Sequence, residues 1–133
     1  MSAVGEMLLM ARGISVSQEK IRDIIGEPSD SKTLANALNQ FDNSEDGLVW
    51  RGLFLGDIAE IERLSKQVKP GSLGVVLREA FSSTGHAVLL NGILRDGMML
   101  IQDPFDQTSY KMTPTDFDDS WGLEVIVRWQ PEK

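Results

Sequence analysis

The hydrophobic pattern of this chain changes period about half-way along. Up to residue 67 apolar side chains recur every three or four residues, the spacing of one helical face. Val4, Met7, Leu8 and Ala11 predict a helix over residues 3–12, with Gly13 at its C-terminal end. Ser17 has the place of an N-cap for a second helix, residues 18–25, which Gly26 and Pro28 would stop. Asp30 or Ser31 caps a third, running to about Phe41, with Leu34, Ala37, Leu38 and Phe41 on its inner face. Residues 42–47 read as a polar loop and residues 48–55 as a short strand or extended connector. Residues 57–67 form an amphipathic helix on Ile58, Ile61 and Leu64, and Lys69-Pro70-Gly71 a turn.

Beyond that turn the pattern switches to alternation and short apolar runs, which predict strands at residues 73–81, 87–93, 98–102, 108–112 and 123–129. Residues 82–85 are expected as a loop. Asp96-Gly97 is a hairpin signal between the second and third of these strands. Thr113 and Pro114 have the order of an N-cap and then the first residue of a helical turn. Helices precede an antiparallel sheet, so the fold class is α+β. The 133 residues read as one domain, helical over about 1–67 and sheet over about 71–130, without internal repeats or low-complexity segments.

Composition narrows the functions. A net charge of −7 with no basic stripe argues against a nucleic-acid partner. No apolar run is long enough for membrane insertion, and Met1 does not lead into a basic n-region of a signal peptide. With no cysteine, disulfides and zinc–thiolate centres are excluded. With one histidine and scattered carboxylates, no metal or other cofactor is expected.

The chemistry converges on Gly85-His86-Ala87-Val88-Leu89-Leu90 and Met98-Met99-Leu100-Ile101-Gln102-Asp103-Pro104. His86 is the one histidine in the chain and opens an apolar strand; Asp103 closes the next. In a hairpin turning at Asp96-Gly97 the two lie about seven residues from the turn on adjacent strands, near one edge of the sheet. Imidazole beside carboxylate is the base and orienting group of a nucleophilic triad. Taken singly, each has a plainer reading, His86 as a structural or surface histidine and Asp103-Pro104 as a strand-ending turn; the pairing is what points to catalysis. Trp50, Trp121 and Trp129 read first as core, and Trp121 also as a lining of the cleft beside His86.

The order of these elements resembles the papain-like cysteine peptidases, nearest to the bacteriocin-processing (double-glycine) peptidases and related bacterial effector and toxin domains. Ala3, Met7, Leu8 and Leu9 match the family's first helix, and Gly13, Val16 and Ser17 match the segment leading into its second. Gly85-His86 matches the catalytic histidine segment and Asp103-Pro104 the catalytic aspartate. Thr113 to Trp121 resembles the late helical turn that ends in tryptophan. The resemblance covers nearly the whole chain. It implies a papain-like fold with N-terminal helices packed on a C-terminal antiparallel sheet. It also implies His86 and Asp103 as catalytic residues, Gly85 and Trp121 as substrate-binding residues, and hydrolysis of a peptide or glutamine amide through a thioester.

The family's cysteine heads the first helix and aligns one position before Met1; its oxyanion-binding glutamine aligns farther upstream. Ser2, a hydroxyl near the missing position, is a poor substitute because no base is placed to activate it. Three explanations stand open: a truncated longer protein, a gene that has lost the cysteine, or a start chosen to make a harmless form of a toxic enzyme. The expected function is therefore a cysteine peptidase or amidase domain whose nucleophile lies outside this chain. The alternative is a degenerate, non-catalytic module that binds a peptide or partner protein. The implied partners are a peptide or protein substrate, a larger parent protein, and a secretion or immunity partner.

Overall fold

The computed structural model describes residues 1–26, 29–42, 46–78, 85–104 and 107–129. Three helices open the chain: α1 (Ser2–Met10), α2 (Gln18–Ile25) and α3 (Ser31–Phe41). Their starts reflect capping chemistry. The Ser17 hydroxyl accepts the backbone N–H of Lys20, and the Asp30 carboxylate that of Thr33, so orphan donors of the first turns are satisfied. Helix α1 stops at Met10 and the chain reverses through Gly13 at φ +78°, a conformation glycine adopts without a Cβ penalty. Leu9 is buried and Ala11 exposed, so the inner face of α1 is Val4, Gly5, Leu8 and Leu9. The expected inner position of Ala11 is corrected because the helix ends before it. Pro28, expected to stop α2, lies outside the described residues.

The remaining elements are β1 (Val49–Phe54), α4 (Ile58–Gln67), β2 (Leu73–Arg78), β3 (Gly85–Ile93), β4 (Met99–Asp103), β5 (Thr108–Met112), α5 (Pro114–Ser120) and β6 (Trp121–Trp129). Six strands form one antiparallel sheet in the order β1-β6-β2-β3-β4-β5. The segment read as strand or connector is thus an edge strand. It leaves the helical half of the sequence to pair with the last strand, Gly52 opposite Ile126. The expected loop at 82–85 gives up Gly85, which is the first residue of β3; residues 79–84 lie outside the description.

The sheet is covered on both faces. Val4, Leu8, Leu9, Ile21, Leu34 and Leu38 from α1–α3 pack on Val76, Ala87, Leu89 and Ile126. Ile61, Leu64 and Phe117 from α4 and α5 pack on Val75, Leu77, Val88, Leu90, Ile101, Val125 and Val127. Sheet residues alternate between the two cores, so β2 and β6 read as nearly continuous apolar runs. The helices pack on the antiparallel sheet as expected, the fourth on the opposite face from the first three.

Two contacts fix α3 against the sheet. A Cβ at Gly52 would lie 2.3 Å from the Ser31 carbonyl carbon, so only glycine lets the strand approach the start of α3. The carboxylate of Glu124, itself buried, accepts the Ser31 N–H at 2.7 Å. At the other end of α3, Asp42 receives Arg12 Nε at 2.6 Å and the Trp50 indole N–H at 3.0 Å, with buried Arg128 alongside. Burial pushes the Asp42 carboxyl up. The hydrogen bonds from Arg12 and Trp50 and the charges of Arg12 and Arg128 outweigh burial and hold it below its ordinary 3.8.

Candidate active site

His86 is the second residue of β3 and Asp103 the last of β4. The hairpin joining them forms as its turn residues require. The Leu94 N–H bonds the Met98 carbonyl at 2.8 Å, the Asp96 carboxylate accepts the Met98 N–H, and Gly97 takes φ +88°. Between the turn and the site the register changes. Ile93 pairs with Met99 and Gly92 with Leu100, but Leu90 pairs with Ile101 and Leu89 with Gln102, leaving Asn91 as an extra residue in a β-bulge.

That bulge decides the chemistry. Continued unbroken from the turn, the first register would put Asp103 opposite Leu89, on the α1 face. The extra residue carries Asp103 opposite Val88, which shares a face with His86, because a one-residue slip exchanges the faces of a strand. His86 Nε2 then meets Asp103 Oδ1 at 2.7 Å. The imidazole is 44% exposed and the carboxylate 13% exposed, so the ring faces the outside and its orienting group the inside. An ionised carboxylate only accepts, so the proton of a neutral ring sits on Nε2 and Nδ1 carries the free lone pair. Among the described residues nothing bonds Nδ1. The ring is held in the tautomer a general base needs.

The C-terminal end of α1 can also be placed relative to β3. Met7, Met10 and Ala11 share a groove with Leu89, Asn91 and Gln102, and Leu8 lies 3.6 Å from the Cβ position of Gly74, the partner of Leu89. The C-terminal end of α1 therefore sits beside the turn end of β3. Helix α1 packs on the Ala87 and Leu89 face of β3, while His86 and Asp103 share the face of Val88 and Leu77.

Trp121 lies elsewhere than a cleft wall. It pairs with Leu77, which pairs with His86, and so stands two strands away from the imidazole. Its ring is 5% exposed, packs 5.4 Å from Phe117, and gives its N–H to the Glu124 carbonyl at 3.1 Å. All its bonding capacity is spent inside the core, which corrects its expected position beside His86. Gly85 directly precedes His86, opposite Arg78. Tyr110 was missed from the sequence. The register sets it diagonal to Asp103 on one face of the sheet, and burial and then the Asp103 charge push its phenol above the ordinary 10.0. The β4–β5 register, Ile101 opposite Tyr110 and Asp103 opposite Thr108, was the signal that no sequence pattern supplied.

Comparison with known structures decides the fold. The chain superposes on the peptidase domain of Streptococcus ComA, a bifunctional ABC transporter involved in quorum sensing, with a TM-score of 0.74, covering 96% of this chain and 88% of that one at 14% identity. It superposes on a double-glycine-motif protease from an AMS/PCAT transporter, solved in complex with the leader peptide, with a TM-score of 0.69, covering 98% and 83% at 21% identity. The fold is that of a papain-like cysteine peptidase. The peptidase C39-like domain of a toxin secretion ATP-binding protein from Vibrio parahaemolyticus shares this papain-like fold, with a TM-score of 0.63 over 97% of this chain and 96% of that one at 13% identity. In sequence the domain is similar to Cysteine protease effector 1 of Escherichia coli O1:K1:H7, 36% identical over 128 residues. That match takes in 96% of this chain, and the chain spans 24% of the relative's length. No protein-family model matches the chain. The structural likeness is one of fold, and the sequence likeness is to part of a longer protein.

No helix among the described residues is long and apolar enough to cross a membrane. Nor do His, Asp and Glu side chains gather there in groups of three able to hold a metal ion.

Proposed function

We propose that the 133 residues form one domain that supplies the base and its orienting carboxylate for thiol-dependent hydrolysis of a peptide bond or glutamine amide. In this reading the nucleophile is a cysteine contributed by the full-length protein one position before Met1. The observation that carries it is the 2.7 Å His86–Asp103 pair at the His86 end of β3. His86 Nδ1 takes the thiol proton, and the thiolate is favoured by the imidazolium and by the helix dipole. The thiolate attacks the carbonyl carbon, His86 protonates the departing amine, and water cleaves the thioester with His86 again as base. Asp103 keeps the ring in place and offsets its charge. Gly85, lacking a side chain, gives the substrate backbone room next to the ring. The substrate, the larger parent protein and a secretion or immunity partner belong to the same proposal; the 24% coverage of the effector relative supports a larger parent.

A second reading rests on one observation, the absence of cysteine from the chain: a peptidase-like module that binds a peptide or partner without cutting it. The two separate on the protein extended by its native upstream residues. A catalytic cysteine there should be alkylated by iodoacetamide with a thiolate pKa well below the usual value of about 8.5. His86→Ala should return it toward that value, and Asp103→Asn should slow amide hydrolysis on the order of 10²–10⁴-fold. An upstream residue other than cysteine, or a thiol indifferent to His86, would leave the binding module as the reading. The 133 residues alone should hydrolyse no amide.

A further inference from the structure

We propose that the domain has a second peptide site, at the end of β3 remote from His86, where an extended acidic segment of a partner protein adds as a short strand. The site begins with an unpaired edge. Leu94 is hydrogen-bonded toward β4, and Gly92 and Ile93 continue that ladder opposite Leu100 and Met99. Backbone groups alternate in direction along an antiparallel strand, so the N–H and C=O of Ile93 point away from β4. On that side β2 pairs with β3 no farther than Gly74 opposite Leu89. Among the described residues no strand or turn bonds Ile93 there. A strand edge left open in this way is a template for another chain.

The space beside the edge is shaped. The C-terminal half of α4 and the turn after it stand back from β3 around a cavity of 590 Å³, with Val68, Leu90 and Ile93 among its apolar lining. Its rim carries Lys66, Lys69 and Arg95 against one carboxylate, Glu62. All three cations are exposed, and among the described residues none has an ion-pair partner. This is a cationic groove on a chain of net charge −7. Complementarity therefore selects an acidic strand with aliphatic side chains at alternate positions: main-chain bonds to Ile93 give the pairing, the apolar lining takes one side chain, and the rim takes the carboxylates. The bulge at Asn91 serves this site as it serves the active site, because it breaks the ladder at the groove.

The test uses the 133-residue chain labelled with ¹⁵N and a synthetic octapeptide alternating valine and glutamate. Amide resonances of Asn91, Gly92 and Ile93 should shift on titration. The double variant Lys66→Glu/Arg95→Glu, changed only at exposed positions, should bind about tenfold more weakly, and His86→Ala should bind as the parent does. Ile93→Pro, which keeps the rim charges and removes the N–H, should also lose binding. Equal binding of a valine–lysine peptide would overturn the proposal. So would shifts confined to the outer edges of β1 or β5, or loss of binding with His86→Ala, which would put the peptide in the active-site cleft. Shifts at Asn91–Ile93 that grow with protein concentration alone would assign the edge to a second copy of the chain and equally refute it. Because the readout needs no thiol, it stands or falls separately from the proposed hydrolysis.

Discussion

Gly52→Ala is the sharpest test of how the helical half docks on the sheet. The added Cβ would lie 2.3 Å from the Ser31 carbonyl carbon, 2.4 Å from the Lys32 nitrogen and 2.5 Å from the Ser31 oxygen. Ordinary contact begins at 3.4 Å, so the shortfall is 3.4 − 2.3 = 1.1 Å, and all three neighbours are backbone. Either β1 or the start of α3 must retreat by that amount. Three bonds span this junction: Ser31 N–H to Glu124 at 2.7 Å, Trp50 N–H to Asn39 Oδ1 at 2.8 Å and Asn39 Nδ2 to the Trp50 carbonyl at 2.9 Å. Retreat of β1 would stretch the two Trp50–Asn39 bonds, and retreat of the start of α3 the Ser31–Glu124 bond, past the hydrogen-bond range. Overpacking strain of about 1–3 kcal/mol, with about 1 kcal/mol for each bond lost, gives about 2–5 kcal/mol if one or two bonds break. Urea unfolding monitored by tryptophan fluorescence measures this directly. Gly56→Ala is the control: its nearest neighbour is the Glu60 carboxylate oxygen at 2.9 Å, the far end of a flexible side chain. A Gly52→Ala cost below about 1 kcal/mol, or one equal to that of Gly56→Ala, would refute the argument that backbone contact fixes α3.

Asp42→Ala leaves Arg128, whose side chain is 6% exposed, with Asp46 as its remaining carboxylate and should cost about 3–5 kcal/mol by thermal or urea melts. Because the folded-state pKa of Asp42 lies below 3.8, its contribution is present above pH 3.8 and lost as pH falls through the folded value. Acid titration of the parent should therefore show a loss of stability that Asp42→Asn flattens. Phe117→Ala removes a ring with no exposed surface packed on Trp121, and should cost about 3–5 kcal/mol by the same melts while leaving the His86–Asp103 pair detectable by the imidazole ¹⁵N shifts.

Local chemistry is what the sequence determined by itself. Ser17, Asp30, Asp57 and Thr113 each cap the next helix, because a short oxygen side chain can bond its own helix's first-turn N–H without help from the rest of the fold. The Asp96-Gly97 turn and the alternation around it likewise placed His86 and Asp103 on neighbouring strands, and the order of such elements was enough for the papain-like resemblance. Partners distant in sequence were not legible. That β1 pairs with β6, that Glu124 meets Ser31, and that Arg128 meets Asp42 and Asp46 depend on which apolar faces come together, and burial is indifferent to sequence distance. Trp121 shows the same limit: an indole next to a motif looks like a cleft wall until packing consumes it. The face shared by His86 and Asp103 was decided by tertiary structure alone. Their spacing permits either face, and the bulge at Asn91 chooses between them. It lies where β3 must bury Val88 and Leu90 with Met99 and Ile101 on one side, and Ala87 and Leu89 against the helices on the other.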